Sequence, residues 1–340
     1  MDLARFEKLT DRFGTLRFGI VGDFCLDRYL EIDPARRELS IETGLPVYNV
    51  VNVRSQPGGA GTILNNLAAL GVGRIYPIGF AGHDGEGSEL RGALHDRPGV
   101  QMAYFVSTPE RRTFTYCKPL VVEPNKPPVE LNRFDFKNWT HTPGVVEGEL
   151  VDRIRNVIPH IDALIILDQV DIHDTGVVTR KVLEAVAEVG RSRPDLLIIA
   201  DSRRSLRGYP PVCLKMNRAE LAALTNSDGA LGLDAIKERA AALAASNGRQ
   251  VFVTLSEEGV LGAMPTGEVE HVPPLPVRGP LDIVGAGDAV TANLTTALAA
   301  GATLREALEL AMAGASIVIH QLGTTGTASV SQIRELLFPN

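Results

Sequence analysis

Four short apolar runs punctuate the chain, at 18–21 (Phe-Gly-Ile-Val), 163–167 (Ala-Leu-Ile-Ile-Leu), 196–200 (Leu-Leu-Ile-Ile-Ala) and 251–255 (Val-Phe-Val-Thr-Leu). Uninterrupted apolar stretches of this length suit strands buried on both faces, as in a parallel sheet. Each run closes near a polar or charged residue: Asp23, Asp168, Asp201 and Ser256. Between the runs lie helical patterns, such as 179–189 and 233–245. Strands alternating with helices predict a doubly wound, mostly parallel α/β sheet with helices on both faces. In such sheets ligands bind beyond the strand C-termini, where these polar residues fall.

Two segments break the rhythm. Residues 46–54 and 112–122 carry β-branched and aromatic residues without helical period, flanked by turn and proline signals. They predict a small β-layer added to the main sheet, a lid formed by segments of about 30–56 and 101–136. Residues 123–128 are proline-rich and read as a loop.

The most informative chemistry lies late in the chain, at Asp282-Ile283-Val284-Gly285-Ala286-Gly287-Asp288. Leu294 and Leu298 mark a following helix, and Gly301 its stop. A glycine loop opening a helix presents backbone amides to a phosphate. A carboxylate beside such a loop repels a phosphate unless it has a task, such as taking a proton from an attacking hydroxyl. The plainer reading makes Asp288 an N-terminal cap after a tight turn. The chain has no Gly-Lys pair, which excludes a P-loop, and Val290 stands where a dinucleotide fingerprint needs its third glycine.

Other clusters carry paired readings too. Gly58-Gly59 before the helix pattern at 62–68 either brings amides to a sugar or phosphate or simply turns a strand into a helix. Asp23 and Asp27 either orient a polyol or cap turns. Asn217 and Glu220 either hold magnesium through water or form a capping box. Arg111, Arg112 and Arg133, near the lid, either grip a substrate phosphate or are solvated.

Charge and composition narrow the partners. A net charge of −7 without a long basic run argues against nucleic acid. The three cysteines are far apart and the seven histidines show no His-x-x-x-His pair, so disulfide frameworks and histidine metal sites are not expected. No apolar run approaches about 18 residues and no signal core opens the chain, so a cytoplasmic protein away from membranes is expected.

Taken in order, these motifs resemble the ribokinase-like (PfkB) carbohydrate kinases: the early Gly-Asp, Gly58-Gly59, Gly79-x-x-Gly82-x-Asp84, Asn217-x-x-Glu220 and the Asp282 to Asp288 loop. Within that family the chain looks most like the D-glycero-β-D-manno-heptose 7-phosphate kinases. The supporting residues are Gly22-Asp23-Phe24-Cys25-Leu26-Asp27-Arg28-Tyr29, Ser40-x-Glu42-x-x-x-Pro46-Val47, Pro57-Gly58-Gly59-Ala60 and Arg133-Phe134-Asp135-Phe136. Bifunctional members carry a further nucleotidyltransferase domain, so the resemblance covers the kinase half, as a single domain over 1–340.

The resemblance implies an ATP-dependent kinase acting on a sugar or sugar phosphate, foremost the anomeric hydroxyl of heptose 7-phosphate. It implies Asp288 as base and the amides of Gly285, Ala286 and Gly287 as anion hole. Asp27, Gly58, Gly59 and Asn66 would face the sugar, with Arg112 and Arg133 at its phosphate. Asn217, Glu220, Ser256, Gly259 and Met312 would line the nucleotide site. Glu220 would hold Mg2+ through water and Asp282 a monovalent cation such as K+. A homodimer joined through the lid strands is expected. The chain departs from the pattern at Thr62, at Val284, at Met312 and at Asp201-Ser202-Arg203. Another sugar or nucleoside kinase (ribose, fructose), or a catalytically silent sugar or nucleotide sensor on the same fold, are the alternatives.

Overall fold

Eight strands form the main sheet of the computed structural model, which describes residues 1–227 and 231–339. Their order is Val269–Val272, Val260–Ala263, Val251–Thr254, Cys213–Asn217, Leu197–Ser202, Ala163–Asp168, Arg17–Gly22 and Arg74–Ile78. The last six in this order run parallel, and the first two add an antiparallel edge. The four apolar runs all become strands of this sheet, and the two helical patterns become Arg180–Ser192 and Leu233–Asn247.

The runs are apolar throughout because both faces are covered. Phe18, Ile20, Ile165 and Leu167 pack in one core with helices Ala60–Ala69, Ala286–Ala299 and Leu304–Val318. Their strand neighbours Val21, Leu164 and Ile166 pack in a second core with Gly144–Val157, Arg180–Ser192 and Leu233–Asn247. Each such side chain contributes about 1.5–3 kcal/mol through burial. Among the described residues no helix is long and apolar enough to cross a membrane.

The lid is a separate five-stranded sheet in the order Val129–Glu130, Phe114–Val121, Phe24–Ile32, Val50–Gly59, with Phe134–Phe136 also paired to Phe114–Val121. Its extent differs from the expected 30–56 and 101–136. The central strand begins at Phe24, with only Asp23 between it and the main-sheet strand Arg17–Gly22. Residues 101–113 lie outside the lid sheet: Met102–Tyr104 is a helical turn, and Val106–Thr108 pairs with Phe80–Gly82. Asp23 is the joint between the two sheets. Its buried carboxylate accepts the amides of Gln169 and Val177 at 2.8 and 2.7 Å, tying the loop after Ala163–Asp168 to the root of the lid.

Strand alternation divides the lid into two faces. Asp27 pairs with Tyr116 and Gln56, and Tyr116 with Asp135, so these four share one face. Arg28, Cys117, Phe134 and Ser55 share the other.

Candidate active site

Gly285 caps helix Ala286–Ala299 with φ +82. A Cβ there would lie 2.6 Å from Thr325 Cγ2, so only glycine fits this left-handed turn. The Ala286 amide, expected in an anion hole, instead donates to Ile283 O at 3.2 Å and is taken up by the turn. Gly287 and Asp288 itself are the first-turn residues whose N–H groups lack a helical partner. Of the three expected amides, that of Ala286 is thus occupied by the turn, while the Asp288 amide joins that of Gly287 at the open end of the helix. Asp288 is partly accessible in the first turn of the helix. Burial of its carboxylate pushes its pKa up to about 7, with Lys215 opposing the rise and Asp201 and Asp27 adding to it.

Lys215 was not singled out in the sequence, where it interrupts an apolar stretch. It is buried on strand Cys213–Asn217, with its Nζ 2.7 Å from Asp201 Oδ2.

The lid face carrying Asp27 looks toward this helix: Gln56 on that face accepts the Thr324 hydroxyl at 3.2 Å, beside the Thr325 whose methyl borders Gly285. Gly58 lies directly beside Asp27: a Cβ there would be 2.8 Å from the carboxylate. Gly59 follows and starts helix Ala60–Ala69. Lys118, also unforeseen, approaches Asp27 Oδ2 at 3.6 Å and lies over the Tyr29 ring. Burial raises the pKa of Asp27, and Lys118 works against that rise. Arg133 stacks 4.8 Å above Tyr116, pairs with Asp135 at 2.6 Å, and its charge also reaches Asp27. A pocket beside this row is lined by Cys25, Phe114, Tyr116, Lys137, Trp139 and Asp171 among others.

Three arginine-and-amide assignments change. Arg112 lies against Glu86 and stacks 5.3 Å from Phe136, on the opposite lid face from Asp27. Period-two alternation separates it from Arg133, although both lie close to lid strands in the sequence. Arg111 is buried and donates to Thr140, Thr142 and the Thr175 carbonyl, so it ties loops together. Asn66 is fully buried, its amide donating to Thr62 O at 3.0 Å and Gly326 O at 3.5 Å, which turns it away from any open sugar pocket. Thr62 is buried on the same helix, with its methyl near Gly285.

On the other side of the helix N-terminus, Asn217 and Glu220 form a full capping box. Asn217 Oδ1 accepts the Glu220 amide at 2.9 Å, and Glu220 Oε2 accepts the Asn217 amide at 2.7 Å. Asn217 and Ser256 line one pocket with Arg218, Thr254 and Glu257. Gly259 does not present free backbone there. Its N–H donates to Ser256 O, its carbonyl accepts from Leu255, and a Cβ added there would run into Val272 O and Pro273. Met312 is a half-buried residue of helix Leu304–Val318 packed on the core. Asp282 accepts the amides of Val284 and Gly323 at 3.1 and 3.3 Å, which brings it to the loop after helix Leu304–Val318. No group of three or more His, Cys, Asp or Glu side chains among the described residues could cage a metal ion.

The sequence model for pfkB family carbohydrate kinase matches residues 24–330. The Bifunctional protein HldE of Nitrobacter hamburgensis is 31% identical over 337 residues, covering 98% of this chain and 66% of that protein. The protein of the same name from Trichlorobacter lovleyi is 32% identical over 333 residues, covering 96% and 64%. The chain thus spans somewhat less than two thirds of the length of these curated relatives. In three dimensions it is similar to Arabidopsis thaliana ribokinase complexed with ribose and ATP, with TM-score 0.69, 20% identity, and 96% and 99% of the two chains covered. It is also similar to phosphofructokinase-2 from Escherichia coli in complex with potassium, with TM-score 0.70, 21% identity, and 94% and 98% covered. These two likenesses show a ribokinase-like fold. A family match running from the first lid strand to the last helix, on that fold, makes this chain a member of the pfkB family of carbohydrate kinases.

Proposed function

We propose that this carbohydrate kinase transfers the γ-phosphoryl group of ATP to the anomeric hydroxyl of D-glycero-β-D-manno-heptose 7-phosphate. The observation that carries the reading is that the Asp27 face of the lid adjoins the N-terminus of helix Ala286–Ala299, with Gln56 of that face bonded to Thr324 and the neighbouring Thr325 packed on Gly285, three residues before Asp288. The heptose assignment rests on the sequence resemblance to heptose 7-phosphate kinases, supported by identity of 31% and 32% over nearly all of this chain to part of two HldE proteins.

Asp288 takes the hydroxyl proton as the new O–P bond forms. The bond from the γ-phosphorus to its bridging oxygen breaks, and ADP leaves with that oxygen. The Gly287 and Asp288 amides face the charge on the transferring group. Asp27 and the Gly58-Gly59 backbone orient the sugar hydroxyls, and Lys118 with Arg133 receives the substrate's own phosphate. ATP lies between Ser256 and the helix N-terminus.

The donor set suits magnesium held through water. One Glu220 oxygen lies outside the capping box, and a hydrated Mg2+ needs only one or two carboxylates. When bound there, the ion would supply positive charge that offsets the charge of the ATP phosphates. Asp282 with the backbone around 319–323 suits a monovalent cation. The apolar outer lid, with Val51, Val53, Val129 and Phe134 exposed, suits a homodimer built on that surface.

An ADP-release assay over heptose 7-phosphate, heptose, ribose, fructose and fructose 6-phosphate tests the reading, with Asp288→Asn alongside. The heptose phosphate gives the highest kcat/KM, and Asp288→Asn loses about 10²–10⁴-fold in rate. A neutral sugar that matches the phosphorylated one removes the heptose-phosphate assignment. A variant keeping more than about a tenth of the rate removes Asp288 as the base.

A further inference from the structure

Two neighbouring strands bring a buried ion pair to the N-terminus of helix Ala286–Ala299. Asp201 and Lys215 are register partners in the parallel pairing of Leu197–Ser202 with Cys213–Asn217, so their side chains point the same way. That face also carries Ile199 and Cys213, which pack in the core beneath helix Ala286–Ala299. The pair thus ends under the first turn of the helix that carries Asp288. Asp201 Oδ2 also lies 3.5 Å from Thr291 Oγ1, one turn further along that helix. A Cβ on Gly287 would stand 3.1 Å from Lys215 Nζ, which places the ammonium directly below the residue preceding Asp288.

Such a pair is a poor choice for stability alone. Removing two charges from water costs several kcal/mol per ion, and apolar residues of similar volume often do as well. Its place beside Asp288 supplies a reason for it. We propose that the Asp201–Lys215 pair belongs to the transfer centre: Lys215 is the positioning residue that keeps Asp288 ionised for proton abstraction, and Asp201 holds the ammonium in place. This rests on the reading of Asp288 as base.

The charged surroundings of Asp288 are otherwise unfavourable to a carboxylate. Cys25 and Asp27 face it from lid strand Phe24–Ile32, and Asp201 from Leu197–Ser202. Glu220 acts on Lys215 from helix Arg218–Leu224. Lys118 offsets Asp27 within the lid. Lys215 is the cation that lowers the Asp288 pKa, against burial and the neighbouring acids. Lys215 in turn keeps its charge, despite full burial, through the Coulomb attraction and hydrogen bond of Asp201.

The test is the pH profile of kcat/KM, measured with ATP and the best sugar phosphate of the panel. An opposite charge at close range shifts a carboxyl by about 1–3 units. Lys215→Met therefore moves the acid limb up by about one pH unit or more, and its rate deficit shrinks as pH rises and Asp288 ionises without help. Lys215→Arg returns the limb toward its original position. Asp201→Asn lowers the alkaline limb, because the unsupported ammonium loses its proton sooner. Should Lys215→Met fail to fold with Asp201 left unpaired, the double variant Asp201→Asn/Lys215→Met removes both charges; because Lys215 lowers the Asp288 pKa by more than Asp201 raises it, the acid limb still moves up, by a smaller step than in Lys215→Met. An acid limb that stays put, or a deficit equal at every pH, overturns the proposal. Asp288→Asn measured in parallel separates the two claims. If it is inactive while the limb in Lys215→Met is unmoved, the base reading stands and the ion-pair role falls. If Asp288→Asn is fully active, both fall.

Discussion

Replacing Gly285 by alanine asks whether the turn before Asp288 sets the geometry of transfer. The native φ of +82 costs a non-glycine residue about 1–2 kcal/mol. The new Cβ would also meet Thr325 Cγ2 at 2.6 Å, well inside contact distance. Forcing an extra methyl into a packed position costs typically about 1–3 kcal/mol. Together these give about 2–5 kcal/mol if the loop holds still. The loop relaxes instead, because its Ala286 amide is held by a single 3.2 Å bond to Ile283 O. Displacement by about 1 Å at a reacting group costs on the order of 10²-fold in rate. Gly285→Ala therefore lowers kcat by about that factor and lowers Tm. Thr325→Ser removes the opposing methyl, so the double variant regains part of both losses. The coupling between the two changes falls at about 0.5–3 kcal/mol. Steady-state kinetics and thermal unfolding of the four proteins measure it. Gly285→Ala with kcat within twofold of the parent, or a double variant that is simply additive, refutes the contact as the determinant of the loop.

Lys118→Ala and Arg133→Ala raise the KM for a phosphorylated sugar by about ten- to a hundredfold, from the loss of a charge-assisted bond each, and leave the KM for ATP near its original value. Arg112→Ala, on the other lid face, leaves both within twofold; a large rise in sugar KM from this variant alone reverses the assignment of faces. Asn217→Ala removes the capping box and lowers unfolding stability by about 0.5–2 kcal/mol, read from the urea midpoint, and an unchanged midpoint counts against it. Asp288 has a folded pKa of about 7 against an ordinary 3.8, and Asp23 is raised in the same direction by burial and by Asp168. Between those values the folded chain holds more protons than the unfolded one, so stability falls as pH rises through that window. Asp288→Asn flattens the decline, and a Tm that climbs from pH 5 to 8 contradicts it. Sedimentation gives twice the chain mass of 36.5 kDa, and Val53→Asp on the outer lid returns it to one; a concentration-independent monomer in the parent excludes the lid dimer.

The main sheet was legible because strands such as Ala163–Asp168 are buried on both faces, and uninterrupted apolar runs have few other uses. Cys213–Asn217 was harder to see, since Lys215 breaks its run with a charge that only a neighbouring strand explains. Phe24–Ile32 hid for a related reason. Its residues alternate between a row with Asp27, which meets Lys118, and a row with Arg28, which meets Glu86 and Glu89, so neither face is uniformly apolar. Arg111, Arg112 and Arg133 looked like one cluster in sequence. Burial of the first, and strand alternation between the other two, sends them to three environments. The Asp282 to Asp288 loop was readable as a glycine turn into a helix. Which amides stay free depended on the Ala286 to Ile283 bond, and spacing alone carries no trace of that.

The division of the lid into two faces bears on how such chains diverge. Along Phe24–Ile32, adjacent positions answer to different selective pressures: Asp27 to Lys118 and the inner face of the lid, Arg28 to helix Gly85–His95. A single substitution can therefore drift on one face without disturbing the other. A single-residue insertion within the strand would exchange the two sets at a stroke and put every inner residue outside. Lineages built on this lid are thus expected to change substrate by replacing individual residues within the strands, and to absorb length changes in the exposed connection at 123–128. Alignments of close relatives should show that contrast as gap-free lid strands beside a connection of variable length.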